Sequence, residues 1–116
     1  MPPMKIVADF ISIAELQTMA SALFGDLVKG VVDVEREILA LDAELHSDLE
    51  AMLLEEGSNQ LDLWGINLYP ALTGDAFLEF DSMINLRPAQ GNKSRGVDDP
   101  IVRRKILAII EKRILP

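Results

Sequence analysis

The residues best equipped to do chemistry sit close together in DSMINLRPAQGNKSRGVDDP, positions 81–100. Arg87, Asn92, Lys93, Ser94 and Arg95 supply cationic and neutral hydrogen-bond donors there. An Arg guanidinium grips a phosphate or carboxylate with two parallel hydrogen bonds, and a Lys adds a point charge. Gly91 and Gly96 would let the backbone turn or approach a ligand closely. The spacing is not that of a P-loop, because no Lys and Ser/Thr follow GNKSRG. From Arg87 to Asp99 there are 13 residues between expected elements. A connection that long, with no structure of its own, is uncommon in a compact domain and is often functional. The functional reading is capture of a small anion. The weightier competitor is a structural loop, with its arginines paired to acidic neighbours or crossing to another subunit.

A second set surrounds the single histidine: Asp33, Glu35, Glu44, His46 and Asp48. Glu44 and His46 on one strand would share a face, and Asp33 and Glu35 would meet them across a hairpin. Together they would make a divalent-metal site. One His without an H-E-x-x-H spacing is thin support, and Asp48 in a first helical turn is explained by the helix dipole alone. No cofactor is therefore expected. Asp81, with Glu79 beside it, is a further acid–base candidate. A solvated strand face accounts for that pair better. Nucleophilic catalysis has little to build on: there is no Cys and no G-x-S-x-G elbow, and Ser82 and Ser94 have no evident base. Whether the chain is an enzyme is left open.

The chain has 116 residues, 49 % apolar and 26 % charged, which fits one domain over 1–116 with one core. No apolar run is long enough to span a bilayer, and MPPMKIVADF lacks the parts of a signal peptide. Without cysteine there are no disulfides, and a cytoplasmic protein is expected. The net charge of −8 is uneven: residues 1–86 hold 3 basic and 16 acidic side chains, and residues 87–116 hold 8 basic and 3 acidic. Nucleic acid is not an expected partner of so acidic a chain, which also lacks the known binding motifs. The opposite charges of the two segments suit docking within one subunit or between two.

The elements that must position these groups follow from periodicity and punctuation. Ser12 with Glu15 opens a helix over 12–24, with Ile11 and Leu16 as a hydrophobic staple. LVKGVVDVE and ILALDAEL read as a hairpin, with a helix over 33–41 as the competitor. Ser47 with Glu50 opens a second helix, closed by Gly57. LDLWGINLY at 61–69 alternates, with Leu63 out of phase with Trp64, Ile66 and Leu68; Trp64 reads as core or interface. FLEFDSMINL at 77–86 also alternates, with Leu78, Phe80, Ile84 and Leu86 on one face. Asn67 and Asn85 would then point away from the apolar face, free to bond a ligand or simply a neighbouring loop. Asp99 and Pro100 open the last helix, whose apolar stripe is broader than one sheet face needs. A short strand at 4–8 is an optional addition. The expectation is α+β, in the order α-β-β-α-β-β-α: a four-stranded, mostly antiparallel sheet with three helices on one face.

The segments FGDLVKGVVDVE (24–35), AELHSD (43–48), DLWGINLYP (62–70), EFDSMINLRP (79–88) and NKSRGVDDP (92–100) resemble a family of small uncharacterised prokaryotic proteins, a domain of unknown function. The resemblance runs over nearly the whole chain and brings no activity with it. The favoured function is an interaction or binding module that self-associates through its C-terminal helix and the 87–99 loop. A homo-oligomer, a protein partner or a small anionic ligand is the expected partnership. The alternative is an anion-binding or hydrolytic domain built on Arg87, Asn92 and Arg95.

Overall fold

The computed structural model describes residues 4–116. Its main sheet has five strands, all antiparallel: β1 (Lys5–Val7), β3 (Val28–Asp33), β4 (Ile38–Leu41), β5 (Leu63–Leu68) and β6 (Leu78–Glu79). Their order across the sheet is β1-β4-β3-β5-β6. Two further strands, β2 (Ile11–Ser12) and β7 (Ile114–Leu115), pair in parallel. The helices are α1 (Ile13–Ala22), α2 (His46–Glu55) and α3 (Pro100–Arg113). The α+β class and the three helices stand as expected. The main sheet has five strands rather than four, because the optional N-terminal strand pairs with β4.

The helices cover both faces, not one. On the first face α1 and α3 bury Leu16, Ala20, Ile106 and Ile109 against Val28, Val32, Leu39, Trp64, Ile66 and Leu68. On the second, α2 buries Leu49 and Leu53 against Val31, Ile38, Ala40 and Leu63. The split follows from strand pleat, which sends alternate residues to opposite faces. Thus Leu63 lies opposite in phase to Trp64, Ile66 and Leu68, as its place in the sequence requires. The 27–45 hairpin forms, and the helical alternative does not. Its turn is tied by the buried Asp33, whose carboxylate accepts from the Glu35 and Arg36 N–H groups at 2.9 Å and from Ser58 Oγ at 2.6 Å.

The long strand expected over 77–86 stops after Leu78–Glu79. Phe80 packs on the α1/α3 core, while Ile84 packs on the α2 core and Leu86 is exposed. The chain has crossed the sheet edge between them, through a 3-10 turn at Met83–Asn85. At that crossing a side chain replaces a strand. Asn85 Oδ1 accepts from Gly65 N–H at 2.8 Å, and its Nδ2 donates to Gly65 C=O at 2.9 Å. The amide thus satisfies both polar groups of an edge residue that a continuing strand would have paired. The approach is close: a Cβ on Gly65 would lie 2.4 Å from Ser82 Cβ.

Two of the three capping signals are realised. Ser12 Oγ accepts from Glu15 N–H at 3.1 Å, and Asp99 caps α3 through Ile101 N–H at 2.8 Å. The Ser47–Glu50 box is not formed; the cap position lies two residues earlier, at Leu45, which offers no capping side chain.

Candidate functional site

A cleft of about 480 Å³ opens on the α2 face, between the start of α2 and the short strand β6. Strand register assembles its floor. β3 sets Lys29 opposite Asn67, and β6 sets Glu79 opposite Asn67, so the three stand in a row across the sheet. Residues directly opposite share a face. Leu45, His46 and Ser47 close the cleft from above, and Asp81 and Arg95 form its far wall.

Asn67 is only 7 % exposed. Its Nδ2 donates to Glu79 Oε1 at 2.8 Å and to Asp81 C=O at 3.2 Å. Those bonds fix which way the amide points, and they leave its Oδ1 buried without a donor. Tyr69 Oη donates to the same Glu79 Oε1 at 3.1 Å. Burial, with the neighbouring Glu79 carboxylate, raises the Tyr69 pKa and keeps the phenol protonated. Both bonds to Glu79 fall on Oε1, so Oε2 is not used by them. Arg95 Nε meets Asp81 Oδ1 at 2.8 Å in a half-exposed ion pair, worth little as stability but enough to orient both groups.

His46 is the first residue of α2. Its Nε2 lies 2.8 Å from Ile66 C=O. A carbonyl only accepts, so Nε2 carries the proton and Nδ1 presents a lone pair in the neutral ring. Burial lowers the His46 pKa and the Lys29 charge adds to that; the Ile66 carbonyl, Asn67 and Asp81 pull the other way. Asn67 is near enough to favour the imidazolium, yet no hydrogen bond reaches its Oδ1. The ring is neutral at pH 7. Lys29 Nζ stands 5.1 Å above the centre of the Phe24 ring, and among the described residues no carboxylate lies within ion-pairing distance of it.

The cleft therefore has two poles. Lys29 and the His46 and Ser47 N–H groups at the uncapped start of α2 make a positive end; the Asp48 N–H is already given to Leu45 C=O at 3.2 Å, and the Asp48 carboxylate lies in the same first turn. Glu79 and Asp81 make a negative one. Leu27, Leu45, Met83 and Ile84 supply apolar wall between them. Its size and mixed lining are those of small-molecule sites in general.

Of the residues singled out by sequence, His46, Glu79, Asp81 and Arg95 come together here; Arg87, Asn92, Lys93, Ser94 and Glu44 do not line the cleft. Arg87 spends its donors on the chain itself: Nε to Ile84 C=O at 2.8 Å, Nη1 to Gln60 C=O at 3.2 Å and Nη2 to Leu63 C=O. Its guanidinium also stacks 4.6 Å from the Trp64 ring centre. Asn92, 4 % exposed, holds the loop from within by donating to the carbonyls of Asn85, Ser94 and Gly96 and accepting from Asp98 N–H. Ser94 Oγ donates to Asp98 Oδ1 at 2.5 Å, and the Lys93 N–H donates to Asp98 Oδ2 at 2.8 Å. The 87–99 segment is thus no bare loop but a wired turn, with a 3-10 turn at Pro88–Gln90 and Gly91 at φ 90°. Glu44 is exposed, and it shares no strand with His46, which belongs to α2. Among the described residues no cluster of three or more His, Cys, Asp or Glu could hold a metal ion.

Sequence reasoning missed Lys29 as a site residue. The signal was present: its alternation with Val28 and Val32 placed it on the polar side of β3, but only the register shows that this side faces α2. No helix among the described residues is long and apolar enough to cross a membrane. The chain belongs to the family described as "Protein of unknown function (DUF5674)", which matches it over residues 5–113. No curated protein and no solved structure matches it.

Proposed function

We propose that this chain is a small-molecule binding domain and that the cleft at the start of α2 is its site. Convergence carries the reading: Lys29, His46, Asn67, Asp81 and Arg95 belong to five separate segments and meet around one cavity. Four of them are charged or titratable, in a cleft with an unpartnered buried acceptor, Asn67 Oδ1. His46, whose pKa burial lowers, stands among them, and a perturbed group in a cleft beside charged side chains is a general mark of sites. A ligand that binds only the folded chain at a hundred times its Kd adds about 2.7 kcal/mol of stability. A thermal-shift panel of small acids, amines, amino acids, sugars and phosphates on wild type and Ser47→Trp tests the reading. Ser47 is exposed at the rim, so Trp fills the cleft without touching the core. At least one compound is expected to raise the melting temperature of wild type and not of the variant. A panel with no active member, or one equally active on Ser47→Trp, would sink the reading.

Self-association through α3 is the second reading. Ile101 and Leu107 are 56 % and 47 % exposed on that helix. Leu107 and Ile110 also border an apolar groove of about 600 Å³ with Leu72 and Phe77. The loop's polar side chains serve its own fold, so α3 would carry most of such an interface. Sedimentation equilibrium of wild type and Leu107→Asp tests it; a monomeric wild type would end it. Ile109, being buried, is the wrong probe. The cytoplasmic, prokaryotic setting expected from the sequence is part of the same proposal.

A further inference from the structure

The cleft's unpaired charges stand apart. Lys29 and the uncapped first turn of α2 stand on the β3 side. Glu79 and Asp81 stand on the β6 side, with Asn67 between. Arg95 is already engaged by Asp81 at 2.8 Å and so leaves the acidic side near neutral only in part, since Glu79 has no cationic partner among the described residues. His46 adds no charge at pH 7, because burial holds its ring neutral. A ligand with one charge would satisfy one pole and leave the other facing it. A simple acid would lie against Glu79, and a simple amine against Lys29.

We infer that the ligand is a compact zwitterion of the amino-acid class, its carboxylate at Lys29 and the start of α2 and its ammonium at Glu79 and Asp81. The inference rests on the reading of the cleft as a binding site and names what that site takes. A carboxylate at a helix N-terminus meets N–H groups that the helix cannot use. An ammonium at the other pole has three N–H donors, and Glu79 Oε2 and an Asp81 oxygen are acceptors for two of them. Asn67, between the poles, has both of its amide N–H groups used and its buried Oδ1 without a hydrogen-bond partner. The apolar wall of Leu27, Leu45 and Met83 suits an aliphatic stem between the charges.

Isothermal titration calorimetry with the common L-amino acids tests this. The tightest would then be compared with its decarboxylated amine and its deaminated acid. The amino acid is expected to bind at least about tenfold more tightly than either, since each charge-assisted pair is worth more than a neutral bond. Glu79→Gln and Lys29→Met are each expected to weaken it about tenfold. Gln keeps an oxygen for Asn67 and Tyr69, so loss of binding in that variant is not loss of fold; far-UV circular dichroism of both variants checks this. Equal binding of the acid or amine, or no effect of either variant, would overturn the zwitterion and leave the cleft standing. No binding by any amino acid, with a thermal shift from some other compound that Ser47→Trp abolishes, would do the same. No binding by any compound in either assay would overturn both.

Discussion

Replacing Asn85 with Ala should be among the costliest single changes in the chain. Asn85 is fully buried, and its amide makes three hydrogen bonds, to Gly65 N–H, Gly65 C=O and Arg95 C=O. Ala removes the partner of all three at once. A buried polar group left unpaired costs about 1–3 kcal/mol. A water entering the vacated space would recover part of that. The expected net loss is about 3–4 kcal/mol, a large share of the roughly 5–15 kcal/mol that holds a small domain together. At about 4 °C per kcal/mol for a chain of this size, the melting temperature should fall by about 12–16 °C. Urea unfolding followed by tryptophan fluorescence reads the same quantity, because Trp64 adjoins Gly65 in β5. Asn85→Asp separates hydrogen bonding from packing. The carboxylate keeps an acceptor for Gly65 N–H but faces two carbonyls, so its penalty should exceed that of Ala at pH 7 and shrink as acid protonates it. A loss below about 1 kcal/mol for Ala would refute the claim that this amide stands in for a strand.

Three further outcomes follow from the same contacts. Gly65→Ala should destabilise by about 1–3 kcal/mol, because the new methyl meets Ser82 Cβ at 2.4 Å, and the added change Ser82→Gly should restore part of that in the same urea assay. Arg87→Ala should cost about 2–3 kcal/mol through three lost carbonyl contacts and the Trp64 stack, yet leave ligand binding in the cleft unchanged in calorimetry at a temperature where the variant is folded. His46 has a folded pKa below its ordinary 6.5, so the unfolded chain takes up the proton first as pH falls. Stability is unaffected by this group above 6.5 and is lost between there and the folded value; His46→Gln should flatten that part of the stability–pH curve, and an unchanged curve would remove the case for a neutral buried ring.

How much of this was legible in the sequence differs from element to element. β3, β4 and β5 were, because strands covered on both faces read as short runs rich in Val, Leu and Ile. The α1 and α3 caps were, because Ser12 and Asp99 act on N–H groups two or three residues away. The Ser47–Glu50 pattern misled, because α2 is capped two residues sooner, at Leu45, and begins with His46 bonded to Ile66. The 77–86 strand misled for a similar reason. Its alternation is real, but Asn85 and the Gly65–Ser82 contact carry the chain across the sheet edge, and neither is visible without a partner strand. The charge asymmetry was read correctly in its plainest form. Arg95 pairs with Asp81, Lys112 pairs with Glu37, and Arg113 donates to the carbonyls of Asp9 and Glu37, all joining the basic C-terminal segment to the acidic remainder of the same subunit. The cleft was half legible. His46, Asn67, Glu79, Asp81 and Arg95 were each in view, but only strand register shows that they meet and that Lys29 joins them.

The cleft itself is tested most directly by amide chemical-shift mapping with a compound active in the thermal panel. Binding there should move the amides of residues 45–48, 66–69 and 79–82 together, and leave those of the Pro88–Gln90 turn and α3 in place. Shifts centred on α3 and its apolar groove, with the cleft amides still, would contradict the account.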